Sequence, residues 1–414
     1  MKKVKLHTLF TMNVYWFGLS FMWNSIHPII LPSVLLHIVP PHLKNSYLGV
    51  LTFCGLILAM VIQPISGAVS DGWLSRWGRR RPLAIVGVGL DLIFLVLLAW
   101  SGNLLVIFLG YVGLQITSNI AHGPMQGIIP DLVPKKQLGL ASGLKNLFDM
   151  AGLIGASLAA SKLLSPADRY PTRIMMVVIG VLFISAAVTF YFVEEEPTSD
   201  NIRHRGRIQI KQVFKIKFKA NPSFLWLIAS RFLFLVGIYG IQTFAQYYIK
   251  DVMQAANPVK ATGDLMTSLA IALVICSLIG GWLTDKIGAR LVIYLASMIS
   301  AIGAFLLVIA TDISSLTIFA GILGGGIGLY LSSNWALASQ LAPKEEAGKF
   351  LGLTNLATAG ASAVSKLGGI PIDMINNAFP GRYLGYTGLF VVGGIFALLS
   401  MLLLHKIKEN HLEQ

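Results

Sequence analysis

Charge is what this chain has least of. Asp, Glu, Lys and Arg together make up 12% of its 414 residues, about half the share of an ordinary soluble domain. So little charge excludes a large water-facing surface. Acid is scarcer still, with 18 Asp and Glu against 32 Lys and Arg. Cysteine is nearly absent: Cys54 and Cys276 both lie inside apolar stretches, which leaves no disulfide framework and no cysteine metal site. No nucleophile elbow, phosphate-binding loop or metal-ligand spacing occurs, so neither an enzyme, a metal site nor a cofactor is expected. Gly324–Gly326 is not followed by Lys-Ser/Thr and reads as close helix packing or a hinge. MKKVKLHTLF runs into its apolar stretch with no small-residue cleavage site, so that stretch is expected to be a retained helix.

What is present is apolar length. Hydrophobic residues make up 55% of the chain, and mean hydropathy is +0.72. Apolar runs of about 20 residues recur throughout, each able to cross a hydrocarbon core of roughly 30 Å. Only helices or closed barrels satisfy their backbone there, and these runs are too long and too continuous for barrel strands. Twelve spans are expected, near 10–32, 45–71, 82–101, 104–130, 139–163, 173–193, 223–249, 263–284, 291–310, 315–341, 349–374 and 383–404. The fold class is an all-α membrane protein of twelve transmembrane helices in two pseudo-symmetric six-helix bundles. Residues 1–193 form the first bundle, 194–222 a basic cytoplasmic linker suited to anionic lipid, and 223–414 the second bundle. With the N-terminus inside, cytoplasmic segments hold 22 Lys and Arg and outer segments 7. The positive-inside rule therefore places both termini in the cytoplasm of a cell (plasma or inner) membrane and accounts for the net charge of +14 without nucleic acid.

The halves echo each other. GAVSDGWLSRWGRRR after span 2 returns as GGWLTDKIGAR after span 8, setting Asp71 against Asp285 and Gly78 against Gly288, with Arg290 closing the echo. DLVPKKQLGLASGLKNL after span 4 matches QLAPKEEAGKFLGLTNL after span 10, pairing Pro134 with Pro343 and Asn146 with Asn355. Two six-span repeats with a site at their interface are a transporter architecture.

Residues 60–87, MVIQPISGAVSDGWLSRWGRRRPLAIVG, resemble the loop signature of the major facilitator superfamily. More specifically, they are similar to the branch of sucrose transporters and glycoside–pentoside–hexuronide symporters, as is Gly123-Pro124 through Asp131-Leu132 in span 4. The resemblance implies cation-coupled transport of a sugar and a coupling role for Asp131. Read from the sequence alone, Asp131 is a helix-end charge near Lys135 and Lys136. The chain departs from the branch at Ala59 and Gln63, where melibiose-type members carry the two Asp of a sodium site, so the proton is the expected ion. It departs again at Gln126, near which sucrose transporters carry an Arg.

Asp71 beside Arg79, Arg80 and Arg81 can form charge-assisted, bidentate hydrogen bonds. We assign these four residues, with Asp285 and Arg290, to gating; topology and lipid headgroups are the simpler reading of the same charges. Within the spans, polar and aromatic residues fall into stripes. Trp16, Ser20, Trp23, Asn24 and His27 share one face of span 1. Gln115, Asn119, His122 and Gln126 share one face of span 4, and Tyr239, Gln242, Thr243 and Gln246 one face of span 7. Amides and aromatic rings suit a polyhydroxylated, uncharged ligand, and these stripes with Trp335 form the candidate substrate set around a water-filled cavity. Helix–helix hydrogen bonding is the alternative for any one of them.

Charges within spans are costly, and here they are Asp91, Asp131, Lys145, Asp149, Arg231 and Lys366. Asp131, then Asp149, then Asp91 are the candidate proton carriers; Lys145 and Asp149, four apart on one helix, also suit a structural ion pair. The reading is a monomeric secondary transporter working by alternating access, a proton symporter of a neutral small-molecule sugar, in contact with membrane lipids. An exporter of amphipathic compounds, which 22 Phe and 13 Met would suit, stays open. So does a non-transporting assembly factor on the same fold.

Overall fold

The computed structural model describes residues 3–195, 197, 221–342 and 347–407. Most of the expected basic linker, and Pro343 of the second repeat, lie outside the described residues. Twelve helical rods follow one another along the chain. The rod α1 is built from Val14–Ser25, a π-helical turn Ile26–Ile30 and Leu31–Leu35. Then come α2 (Lys44–Asp71), α3 (Arg81–Ala99), α4 (Leu104–Leu132), α5 (Leu138–Leu163) and α6 (Thr172–Phe192). The second set is α7 (Pro222–Asp251), α8 (Pro258–Ile287), α9 (Ala289–Val308), α10 (Ile313–Leu341), α11 (Ala347–Lys366 and Gly369–Ala378) and α12 (Leu384–Leu404).

Local sequence fixes several starts. Asn221 and Asn257 each accept a hydrogen bond from a backbone N–H three residues on, at 3.2 and 3.0 Å, and each is followed by Pro. This pairing suits a helix start: the side chain satisfies one orphan donor, and proline gives up a donor that had no partner. Asn103 caps α4 in the same way, and Asp312 with Ser315 forms a reciprocal capping box on α10.

Among the described residues, nine helices are long and apolar enough to cross a membrane. The other three rods fall short for visible reasons. In α1 the turn holding Pro28 divides the helix, and Pro32 follows in its next piece. Gly, Ser, Lys145 and Asp149 dilute the apolar content of α5. The α11 rod stops at Lys366 and restarts at Gly369.

The chain falls into two compact units, residues 1–38 with 54–215, and residues 39–53 with 216–414. In the first, α1 packs on α5 and α6, and α3 packs on α4 and α6. In the second, α7 packs on α11 and α12, and α9 packs on α10 and α12. Adding six to each number in the first pattern gives the second, so the repeat seen in the loops is also a repeat of packing. Small residues bring the backbones close. A Cβ on Gly123 would strike the Gln63 carbonyl of α2, and one on Gly324 or Gly328 would strike the Leu269 or Leu273 carbonyl of α8. On Gly326 it would meet Ser300 of α9. The glycine run of α10 is therefore a packing surface wedged against two helices.

Candidate functional site

In the first unit the α1 stripe meets α4 and α5. The Ser20 hydroxyl donates to the Asp149 carbonyl at 2.6 Å, and the Asn24 amide donates to the Ser20 carbonyl at 2.8 Å. A Cβ on Gly152 would press on the Phe17 carbonyl, so this glycine lets α5 approach α1. Trp23 stacks on the His27 ring with centroids 4.8 Å apart. His27 Nε2 lies 2.9 Å from the Tyr111 hydroxyl, to which Gln115 donates at 2.7 Å. One turn further along the bundle, the Lys145 ammonium sits 4.0 Å over the Trp16 ring and 2.8 Å from Asp149 Oδ2. Trp16 also meets His122 edge to face at 5.2 Å, and His122 lies 3.1 Å from Gln126. Trp16, Ser20, His122 and Gln126 thus connect to one half-buried ion pair, while Trp23 and His27 form a separate cluster with Tyr111 and Gln115 further along α1. Asn119 is buried and bonded back to the Gln115 carbonyl of its own helix.

The three carboxylates grouped as proton carriers occupy three different places. Asp149 belongs to the cluster just described. Asp91 is fully buried in the α3–α4 contact, where Thr117 donates to it at 2.5 Å and its Oδ2 faces no donor among the described residues. Asp131 lies in the arginine cluster. Arg79 Nη2 is 2.5 Å and Arg80 Nε 2.9 Å from its oxygens, and Arg80 Nη2 reaches Asp71 at 2.5 Å. Arg80 also donates to the Ser70 hydroxyl at 2.6 Å. The hydrogen bond to Asp131 raises the Arg79 guanidinium above its ordinary value. Glu195, which sequence reasoning missed, accepts from the Arg80 backbone N–H at 2.9 Å, and burial pushes its carboxyl up. Arg81 forms no ion pair among the described residues, and its Nε is buried without a partner there.

The second unit is organised differently. Asp285 is exposed and has no ion pair among the described residues; Arg290 bonds the Tyr294 hydroxyl at 3.2 Å instead. Trp335 is 41% exposed on α10. Tyr239 and Gln242 are half-buried and Gln246 is buried. Gln242 borders an apolar space walled by Ile241, Leu265, Met266, Leu323 and Phe390. Deeper in this unit two cations lie along the contact of α7 with α11. Arg231 Nε donates to the Thr358 hydroxyl at 2.9 Å and Nη1 to the Asn334 carbonyl oxygen at 2.8 Å. Lys366 donates to the Thr243 hydroxyl at 2.5 Å.

Residues 39–53 carry a further cluster that the sequence reading did not find. Lys44 forms an ion pair with Asp251 and lies 5.4 Å from the Tyr247 ring centroid. Asn45 donates to Asp373 at 2.8 Å, and the Ser46 N–H donates to the same carboxylate at 2.7 Å. The Tyr386 hydroxyl donates to Asp251 at 2.7 Å. The available signal was a lone Lys before span 2 facing two Asp at the ends of spans 7 and 11; nothing local connects them.

Paired six-helix packing, the arginine loop and the polar stripes all agree with a further observation: the family model described as "Major Facilitator Superfamily" matches residues 8–365. The chain belongs to that superfamily. It is a multi-pass membrane transporter and not an enzyme. It is similar to the multi-drug resistance efflux pump PmrA of Streptococcus pneumoniae, 22% identical with 96% of this chain and 98% of the pump covered. It is also similar to the sucrose transport protein SUC3 of Arabidopsis thaliana, 23% identical over 44% of this chain and 36% of that protein. Among solved structures, that of a D-xylose-proton symporter superposes with a TM-score of 0.76 at 17% identity, covering 99% of both chains. At that identity the superposition speaks for the fold.

Proposed function

We propose that this superfamily member is a proton-coupled symporter of a sugar-class small molecule, working by alternating access as a monomer in the cell membrane with both termini cytoplasmic. The observation that carries the reading is the ion pair of Lys145 and Asp149, set against Trp16 and Ser20 of the α1 stripe. A carboxylate held by one ammonium and partly shielded from water can exchange that partner for a proton. Protonation of Asp149 frees Lys145, whose charge stays against the Trp16 ring, and the Asn24 and Gln126 amides are of the kind that bond vicinal hydroxyls. Loading the proton and loading the sugar then reshape the same few side chains, which is what coupling requires. Asp131 has a different role in this reading. With Asp71, Arg79 and Arg80 it latches the arginine loop, because its carboxylate is already shared between two guanidiniums. The similarity to a sucrose transport protein and to a D-xylose-proton symporter supports the substrate class and the ion.

Export of amphipathic compounds is the competing reading, favoured by the efflux pump similar to this chain over nearly its whole length and by the apolar space beside Gln242 and Phe390. Proteoliposomes holding a pH-sensitive dye separate the two. Sugar-driven acidification of the lumen, lost in Asp149→Asn, supports symport. Proton movement driven by amphipathic cations and by no sugar would replace it with export.

A further inference from the structure

Among the described residues four Lys and Arg are buried, and two of them have a carboxylate: Lys44 has Asp251, and Arg80 has Asp131. Arg231 and Lys366 do not. They are 6% and 7% exposed, and their only partners among the described residues are neutral oxygens. The arrangement is reciprocal: the cation of α7 bonds a threonine of α11, and the cation of α11 bonds a threonine of α7. Neither segment supplies a counter-charge, since α7 has no acid before Asp251 and residues 347–372 have none at all. The α10 helix, which contributes Asn334, carries none either. A guanidinium has five N–H donors; Arg231 spends two of them on described residues, and its Nη2 donates to none. Burying a charge without an opposite charge is expensive, and helix contacts alone could be held by neutral groups of the same size.

We propose that the α7–α11 seam holds an oxyanion site at the free edge of the Arg231 fork, and that it takes a carboxylate or phosphate group carried by the transported molecule; Lys366 lies about 12 Å further along the same seam. This rests on the transporter reading and extends it: the substrate is a sugar-class molecule bearing an acid group, where the amide stripes alone suggested an uncharged one. A planar guanidinium pairs with carboxylate or phosphate through two parallel hydrogen bonds, and the neutral oxygens of Thr358 and Asn334 hold it in place without neutralising it.

The test is binding to the full-length purified protein, which needs no proton movement, so its failure is separate from failure of the symport reading. Thermal stabilisation and calorimetric titration would compare glucose, glucuronate, glucose 6-phosphate, inorganic phosphate and short-chain phosphatidylglycerol. The expected result is that one or both acidic sugars bind about tenfold or more tightly than glucose. That preference should fall to parity in Arg231→Gln and be partly retained in Arg231→Lys, which keeps the charge and loses the fork. Equal binding of glucose and the acidic sugars to the wild type would overturn the proposal, and this comparison needs no variant to fold. Anion preference surviving in a folded Arg231→Gln variant would overturn it too. So would stabilisation by phosphatidylglycerol or inorganic phosphate with no response to either acidic sugar.

Discussion

The two units repeat one packing plan and differ in how they hold the cations within their spans. In the first, Lys145 has Asp149 and the arginine loop has Asp131 and Asp71. In the second, Arg231 and Lys366 lean on Thr358, Asn334 and Thr243. A helix contact can thus be duplicated while its electrostatics diverge, because packing asks only for small residues and matched shapes. On the function proposed above, Lys145 carries its own counter-ion and responds to a proton, whereas Arg231 awaits charge from its ligand; at its helix ends the second unit too pairs Lys44 with Asp251.

Five changes would break or sharpen that contrast. The largest effect is expected from Asp149→Asn, which makes the first unit resemble the second by leaving Lys145 without a carboxylate. Proton-driven uptake should drop roughly 10- to 100-fold, while exchange of labelled for unlabelled substrate across the same vesicles persists; equal loss of both would assign Asp149 to folding or binding. The reverse operation is Asn334→Asp, which gives Arg231 a permanent counter-charge. Affinity for acidic probes should fall about tenfold, with a higher thermal midpoint; unchanged anion binding would show that the guanidinium does not face the ligand. Next come Gly123→Ala and Gly324→Ala, the corresponding close approaches of the two units. Each should cost about 1–3 kcal/mol by overpacking, seen as a lower thermal midpoint, and the two costs should be similar because packing is what the units share.

The smallest effect concerns Glu195. Burial raises its carboxyl, so the docked state holds a proton that the released state gives up. Docking against the Arg80 backbone is therefore favoured below the ordinary carboxylate value and weakens as pH rises through the raised one. Thermal stability followed between about pH 5 and pH 8 should show this slope, and Glu195→Gln should flatten it. An identical slope in the variant would place the titrating group elsewhere.

Helical periodicity made much of this visible in advance. The α1 and α4 stripes form from residues spaced at 3, 4 and 7 on single helices, and such spacing is written locally in the chain. The twelve rods and their duplication followed from apolar length and from the two loop echoes. What the sequence hid are relations between helices. Lys44 and Asp251 are 207 positions apart, and no pattern near either one names the other. Asp131 looked like a helix-end charge or a coupling acid, and only the return of the arginine loop onto α4 makes it their shared acceptor. Arg231 and Lys366 were visible as charges inside spans, but that neither has an acid beside it among the described residues is a fact of three dimensions. The echo of Asp71 in Asp285 shows the converse: matching letters need not form matching contacts once the arginine triplet is missing.

The π-helical turn at Ile26–Ile30 gives α1 a reserve of length. It holds one residue more than an α-turn would. Tightening it to α geometry would pass that residue along the rod, sliding Leu31–Leu35 by about 1.5 Å and rotating it by about 100°. Trp16, Ser20 and Asn24 would keep their places, since they lie on the other side of the turn. The rod works like a vernier, with a fixed scale that carries the polar stripe and a short sliding scale beyond His27.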